Sequence, residues 1–358
     1  MRMEHGGNIY KAAEQYGINI DAIIDYSDNV NPLGVPYSAK QEIIKNIDAL
    51  SHYPDPEYRE LRMAISEYTG VDYKNIIVGN GATELISLFI KVLKPRKALV
   101  VMPAYSEYER ELVINGAMVD HYVLKREVNY KGDINELCSM VQGKDIIVVC
   151  NPDNPTGTAF TVQEINKLAK VAMEYGAFLM VDETYVEFTD DISLFSSSSI
   201  INKYSNLFII RGFSKYFGIP GLRIGYGLTS NLNLIENIND KKDPWSVNLL
   251  ADMAARAVLR DEDYIRRSRD FMYTERRFMA AELKKIGNLK VYDSVCNFFL
   301  CEILSNISAR EITENAIKKG MLIRDASTFK YLNNRQFRVC IKLRNENQML
   351  LNFLKSVL

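Results

Sequence analysis

Histidine is scarce in this chain, with three among 358 residues. The five cysteines (Cys138, Cys150, Cys296, Cys301 and Cys340) are odd in number and lack metal-type pairing. A dedicated metal site has little to be built from, and none is expected. No apolar run approaches the ~18 residues that a membrane span needs. The best stretches, 98–103 and 146–152, are strand-sized and end in proline. The first residues, Met1 to Asn8, contain no apolar core of signal type, so a soluble, cytoplasmic protein is expected. Neither sign of charge dominates: Lys plus Arg is 44, Asp plus Glu is 45, and the net charge is -1. No global field favours nucleic acid or an anionic membrane, which leaves a small molecule as the expected partner. Repeats and low-complexity tracts are also missing, apart from the serines at 196–199, which read as a loop.

Hydrophobic residues at 47% and charged residues at 25% are ordinary globular values. At this length the chain exceeds what one core normally serves. Seven β-rich runs stand out, at 75–81, 98–103, 118–124, 145–152, 178–185, 207–214 and 222–228. Several are apolar throughout, as strands covered on both faces are. Amphipathic patterns at 83–93, 106–114, 162–175 and, less regularly, 191–204 separate them. This alternation predicts an α/β fold: a three-layer αβα large domain with a mainly parallel seven-stranded sheet. After 241–244 the pattern changes to long helix over 246–285. Short strands at 297–303, 321–324 and 337–342 and helices at 309–320 and 346–357 then suggest a smaller α+β domain. The expected division is 1–47 as an arm and part of the small domain, with a helix near 39–49. Residues 48–245 form the large domain and 246–358 the small one.

Ligands of such sheets collect at the carboxyl ends of the strands. Gly79-Asn80-Gly81-Ala82-Thr83-Glu84 joins a strand to a helix and suits a phosphate at the first helical amides, although an ordinary glycine turn would look the same. Cys150-Asn151-Pro152-Asp153-Asn154-Pro155-Thr156-Gly157 presents Asn154 on a turn stiffened by two prolines. Val181-Asp182-Glu183-Thr184-Tyr185 puts an acid at a buried strand end, where it requires a cationic partner. Lys215 is hemmed by Phe213, Tyr216 and Phe217, which favours a nucleophilic amine, and Arg223 follows eight residues later. These pieces ask for one ligand with a phosphate, a phenolic oxygen, a ring nitrogen and an aldehyde. Pyridoxal 5'-phosphate has all four.

Asn-Pro-Thr-Gly, Asp-Glu-x-Tyr and Ser-Lys with the later Arg, in this order, resemble the fold-type I pyridoxal-phosphate family, the class I/II aminotransferases, over almost the whole chain. The resemblance implies Lys215 as the lysine that bonds the cofactor and shuttles the proton, with Asp182 at the ring nitrogen. It implies Asn154 and Tyr185 at the ring oxygen and Tyr105 stacked on the ring. Ala82, Thr83, Ser214 and Arg223 would hold the phosphate, and Arg338 the substrate carboxylate. Tyr53, in His52-Tyr53-Pro54, resembles a tyrosine that reaches the phosphate of the other subunit, which implies a homodimer with shared active sites. Gly212 departs from the pattern, since many relatives carry a hydroxyl three residues before the lysine.

His5-Gly6-Gly7-Asn8 and then Asp25-Tyr26-Ser27-Asp28-Asn29-Val30-Asn31-Pro32-Leu33-Gly34 resemble the threonine-phosphate decarboxylase branch of cobalamin biosynthesis. The sister histidinol-phosphate aminotransferase branch usually lacks the first of these. The expected substrate-binding residues are His5, Gly7, Asn8, Gly34, Asn154, Arg324 and Arg338; a physical reading agrees, since His5 and the Gly6-Gly7 amides suit a second phosphate with Arg324 on its other side. A flexible arm and a surface ion pair are the plainer readings of His5 and Arg324. Three functions follow: a decarboxylase of a phosphorylated amino acid, an aminotransferase with a 2-oxo acid co-substrate, and an idle cofactor-binding relative. The complete set of Lys215, Asp182, Asn154, Tyr185 and Arg223 argues against the last. One methyl is worth about 1–3 kcal/mol of discrimination, so phospho-threonine and phospho-serine stay equivalent at this level.

Overall fold

The structure is a computed structural model, and it describes residues 8–358. Its strands are β1 (Ile24–Asp25), β2 (Ile76–Gly79), β3 (Lys97–Met102), β4 (Met118–Val123), β5 (Ile146–Cys150), β6 (Phe178–Asp182) and β7 (Leu207–Gly212). They continue with β8 (Gly225–Leu228), β9 (Leu289–Val291), β10 (Phe298–Ile303), β11 (Met321–Leu322), β12 (Arg324–Asp325) and β13 (Gln336–Cys340). Seven of them form one sheet in the order β2-β8-β7-β6-β5-β3-β4. All pairings in it are parallel except those of β8, which runs against both β2 and β7.

The apolar runs are continuous because both faces of this sheet are covered. Along β5 and β6, Ile147, Val149, Leu179 and Val181 enter one core, while Ile146, Val148 and Met180 enter the other. The helix Val162–Glu174, started by a Thr161–Glu164 capping box, packs Ile165 and Leu168 into the first core. The helices Ala82–Leu93 and Ser106–Ile114 bring Leu85, Phe89, Tyr108 and Leu112 to the second. This makes a three-layer αβα arrangement.

A second, antiparallel sheet has the order β12-β13-β10-β9, and the first core continues into it through Phe298, Leu300, Phe337 and Val339. The early strand β1 pairs in parallel with β11, Ile24 opposite Met321, as a separate two-stranded sheet, and the Cys340 amide at the end of β13 donates to the Tyr26 carbonyl at 2.8 Å, which ties the segment after β1 to the antiparallel sheet. No helix among the described residues is long and apolar enough to cross a membrane.

Several boundaries differ from the sequence expectation. The serines at 196–199 are not a loop: Ser196 caps a 3-10 helix, Ser197–Lys203, by accepting from the Ser198 amide. The same cap divides the helix expected over 191–204, leaving Ile192–Phe195 as its first part. The long helix over 246–285 is two, Leu249–Leu259 and Glu262–Leu283, parted where Asp261 caps the second. The helix near 39–49 ends at Lys45, and Ile47–Ser51 continues as a 3-10 turn.

Candidate active site

Five loops meet at the carboxyl edge of the large sheet, around a cavity of about 1040 Å³. β2 leads through Gly79 to Ala82 and Thr83, and β3 leads to Tyr105. From β5 comes Asn154, from β6 Asp182 and Tyr185, and from β7 Ser214 and Lys215. Arg223 reaches the same edge because β8 is reversed: this strand starts where its neighbours end. The glycines permit a very close approach here. A Cβ on Gly225 would lie 2.7 Å from the Ala82 amide nitrogen, and one on Gly81, at φ +80, would lie 2.7 Å from Arg223 Nη2. Gly81 gives the helix Ala82–Leu93 no side-chain cap, so its first amides remain available to an anion. Gly212 also lines the cavity. A Cβ there would meet only Ala82, at 3.8 Å, so a larger residue would fit.

Asp182 is 4% exposed. Thr184 donates to Oδ1 from its amide at 2.9 Å and its hydroxyl at 2.5 Å, and Tyr108 donates to Oδ2 at 2.6 Å. Burial pushes the carboxyl above its ordinary value, and these donors oppose the rise. No cationic side chain pairs with it among the described residues. Lys215 Nζ donates to the Asp28 carbonyl at 2.6 Å. Burial pulls its ammonium below the usual lysine range, opposed first by the Asp28 carboxylate and reinforced by Arg338. The Tyr185 hydroxyl accepts from Asn29 Nδ2 at 3.2 Å and Asn154 Nδ2 at 3.4 Å, which leaves its own proton to donate.

Arg338 is buried. It donates to Asn154 Oδ1 and to the Ser27 carbonyl, the latter at 2.6 Å, and lies over the Phe298 ring at 5.2 Å. Its Nε has no hydrogen-bond partner among the described residues. Arg324 lines the same cavity, donates to Thr328 Oγ1 at 2.8 Å and lies over Phe329 at 5.3 Å. In the sheet register Arg324 is directly opposite Arg338.

Three residues named from the sequence stand away from this cavity. Asn8 is exposed and caps the helix Ile9–Tyr16 by accepting from the Lys11 amide at 3.0 Å. Gly34 accepts from the Tyr264 hydroxyl at 2.9 Å and packs its carbonyl against Gly218. Tyr53 is 79% exposed and rests on Trp245, with ring centroids 4.8 Å apart. His5 and Gly7 lie outside the described residues. Sequence reasoning missed Tyr108, Asp28 and Asn29. Tyr108 stands three residues after Tyr105 on one helical turn, a spacing that places both on one face.

The residues present fit pyridoxal 5'-phosphate. A buried carboxylate with hydrogen-bond donors but no cation suits a protonated ring nitrogen. The uncapped helix start and Arg223 suit a phosphate. A lysine whose burial favours the neutral amine suits an aldehyde.

Comparison with known proteins agrees. The family model for aminotransferase class I and II matches residues 21–354. A candidate threonine-phosphate decarboxylase from Caldanaerobacter subterraneus subsp. tengcongensis is 39% identical, over 99% of this chain and 94% of its own. A histidinol-phosphate aminotransferase from Methanococcus aeolicus is 30% identical, over 96% of this chain and 92% of its own. The crystal structure of the histidinol-phosphate aminotransferase from Clostridium acetobutylicum superimposes with a TM-score of 0.88 at 35% identity, covering 93% of this chain and 98% of that one. The chain therefore belongs to the class I and II aminotransferase family, and its cofactor is pyridoxal 5'-phosphate.

Proposed function

We propose that this protein is a decarboxylase of O-phospho-amino acids, with O-phospho-L-threonine as the preferred substrate and phospho-serine as a close analogue. The reading is carried by the two arginines that line one cavity from opposite positions on β12 and β13. A substrate with two anionic ends, a carboxylate for Arg338 and a phosphate for Arg324, suits two cationic side chains placed this way. The 39% identity to a candidate threonine-phosphate decarboxylase supports the same choice.

When bound, pyridoxal 5'-phosphate supplies an aldehyde that holds the substrate amine and a protonated ring that accepts the electron pair left by a bond broken at Cα. In this reading Lys215 is the lysine that bonds the cofactor, and its Nζ moves the proton at Cα. Asp182 keeps the ring nitrogen protonated. Asn154 and Tyr185 hold the ring oxygen, and Tyr105 covers the ring. Ala82, Thr83, Ser214 and Arg223 hold the phosphate. Arg338, already tied to Ser27 and Asn154, grips the carboxylate, while Arg324 anchors the far end and turns the carboxylate into the orientation for cleavage. Tyr53, exposed beside Trp245, reaches the site of a second copy in a homodimer.

The aminotransferase reading is favoured by the 35% identity to a histidinol-phosphate aminotransferase structure. Incubation with O-phospho-L-threonine separates the two. The expected products are carbon dioxide and a phospho-amine without a 2-oxo acid. Conversion of 2-oxoglutarate to glutamate, with no carbon dioxide from any phospho-amino acid, would establish the aminotransferase.

A further inference from the structure

A second lysine stands behind Lys215, outside the cavity. Lys342 follows β13, two residues beyond Cys340 and four beyond Arg338. Its backbone is fixed from both sides by Asn347, whose Oδ1 accepts from the Lys342 amide at 2.8 Å and whose Nδ2 donates to the Lys342 carbonyl at 2.7 Å. Nζ of Lys342 lies 2.9 Å from Asp28 Oδ1, with its side chain 12% exposed. The carbonyl of the same Asp28 accepts from Lys215 at 2.6 Å. One residue thus touches both lysines, through its side chain on one side and its main chain on the other.

The charged and titratable groups around Lys215 come from three directions. Asp25 and Asp28 lie on the N-terminal segment, Arg338 and Cys340 on β13, and Asp182 and Arg223 across the cavity. Asp25 is bonded to Ser27, and Tyr108 and Thr184 hold Asp182. The carboxylate of Asp28, the residue whose carbonyl accepts from the amine, has Lys342 as its ion-pair partner.

We propose that Lys342 is a positioning residue for cofactor capture: by holding and neutralising the Asp28 carboxylate, it keeps the Lys215 amine ready to attack. This rests on Lys215 being the cofactor lysine. Capture forms a bond from Nζ to the aldehyde carbon and expels one water as the C=N bond is made. The attacking amine must be unprotonated. An uncompensated Asp28 carboxylate would hold the proton on it.

The test follows uptake of pyridoxal 5'-phosphate by the cofactor-free protein through its visible absorbance, from pH 6 to 10. In Lys342→Met the midpoint of the rate profile should rise by about one pH unit, the effect of one nearby opposite charge, which is about tenfold slower capture at neutral pH. Lys342→Arg should restore the wild-type profile. Asp28→Asn should lower the midpoint by itself and should rescue Lys342→Met in the double variant. A Lys342→Met profile that superimposes on wild type overturns the proposal, as does a double variant as slow as Lys342→Met. If circular dichroism shows Lys342→Met unfolded, Asp28→Asn decides, and an unchanged or raised midpoint overturns the proposal. Borohydride reduction and mass mapping keep the two readings apart. An adduct on another lysine removes the Lys215 assignment, whereas an adduct on Lys215 with unshifted midpoints removes only the role of Lys342.

Discussion

Replacing Tyr108 by phenylalanine removes one oxygen and leaves the ring in the core, where it is 1% exposed. The lost contact is the 2.6 Å hydrogen bond to Asp182 Oδ2. A hydrogen bond to a charged group contributes about 1.5–3 kcal/mol, so without it the Asp182 carboxyl should rise further above its ordinary value. Burial already holds it above its unfolded value. An acid raised on folding keeps its proton longer in the folded state, so its contribution to stability falls as pH climbs from the unfolded to the folded pKa. Tyr108→Phe extends that fall to higher pH. Urea denaturation of cofactor-free wild type and variant from pH 4 to 8 measures the difference. The difference between the two proteins should be smallest at the acid end, where protonation of Asp182 weakens the contact. The gap should widen with pH towards about 1.5–3 kcal/mol. A gap of constant size would refute the coupling, because it would make the hydroxyl an ordinary packing contact.

Asp182→Asn keeps the shape of the side chain and loses its charge. Folding should survive while turnover falls by at least the ~10²–10³ seen when a lesser electrostatic contact is removed; near-normal turnover would mean that another group protonates the ring. Arg324→Ala should raise KM for O-phospho-L-threonine and also lower kcat, since orientation is lost with affinity. A rise in KM alone would reduce Arg324 to simple binding. Light scattering of the purified protein should give a two-fold dimer, and Tyr53→Phe should weaken cofactor retention in equilibrium dialysis. A monomer that retains cofactor and full activity would contradict the shared site.

The ends of β5, β6 and β7 were legible in the sequence because each is an apolar strand with a polar or charged residue at or within a few residues of its exit. Asn154, Asp182 and Lys215 sit within a few residues of such exits, so local pattern alone brought them near one another. Asp28, Asn29 and Tyr108 were not legible as partners. Asp28 is 187 residues from Lys215, Asn29 is 156 from Tyr185, and Tyr108 is 74 from Asp182. Such pairings are decided by the topology of two sheets, which periodicity does not encode. The helix breaks at Ser196 and Asp261 were missed for a different reason. Both are side-chain caps inside stretches that otherwise keep an apolar rhythm, and the cap prevails over the rhythm locally.

The reversed strand has a consequence for a chain still being synthesised. β2 joins the sheet only through β8, which is made about 150 residues later and inserts between β2 and β7. A ribosome-bound chain ending just after Lys215 would already carry the lysine, Asp182 and Asn154, yet Ala82 and Arg223 could not meet. The phosphate cradle closes only when residues 225–228 emerge and bridge the gap. Free cofactor should therefore be retained by nascent chains that extend past β8 and lost by those that stop short of it, so that ligand uptake marks the moment the large sheet is complete.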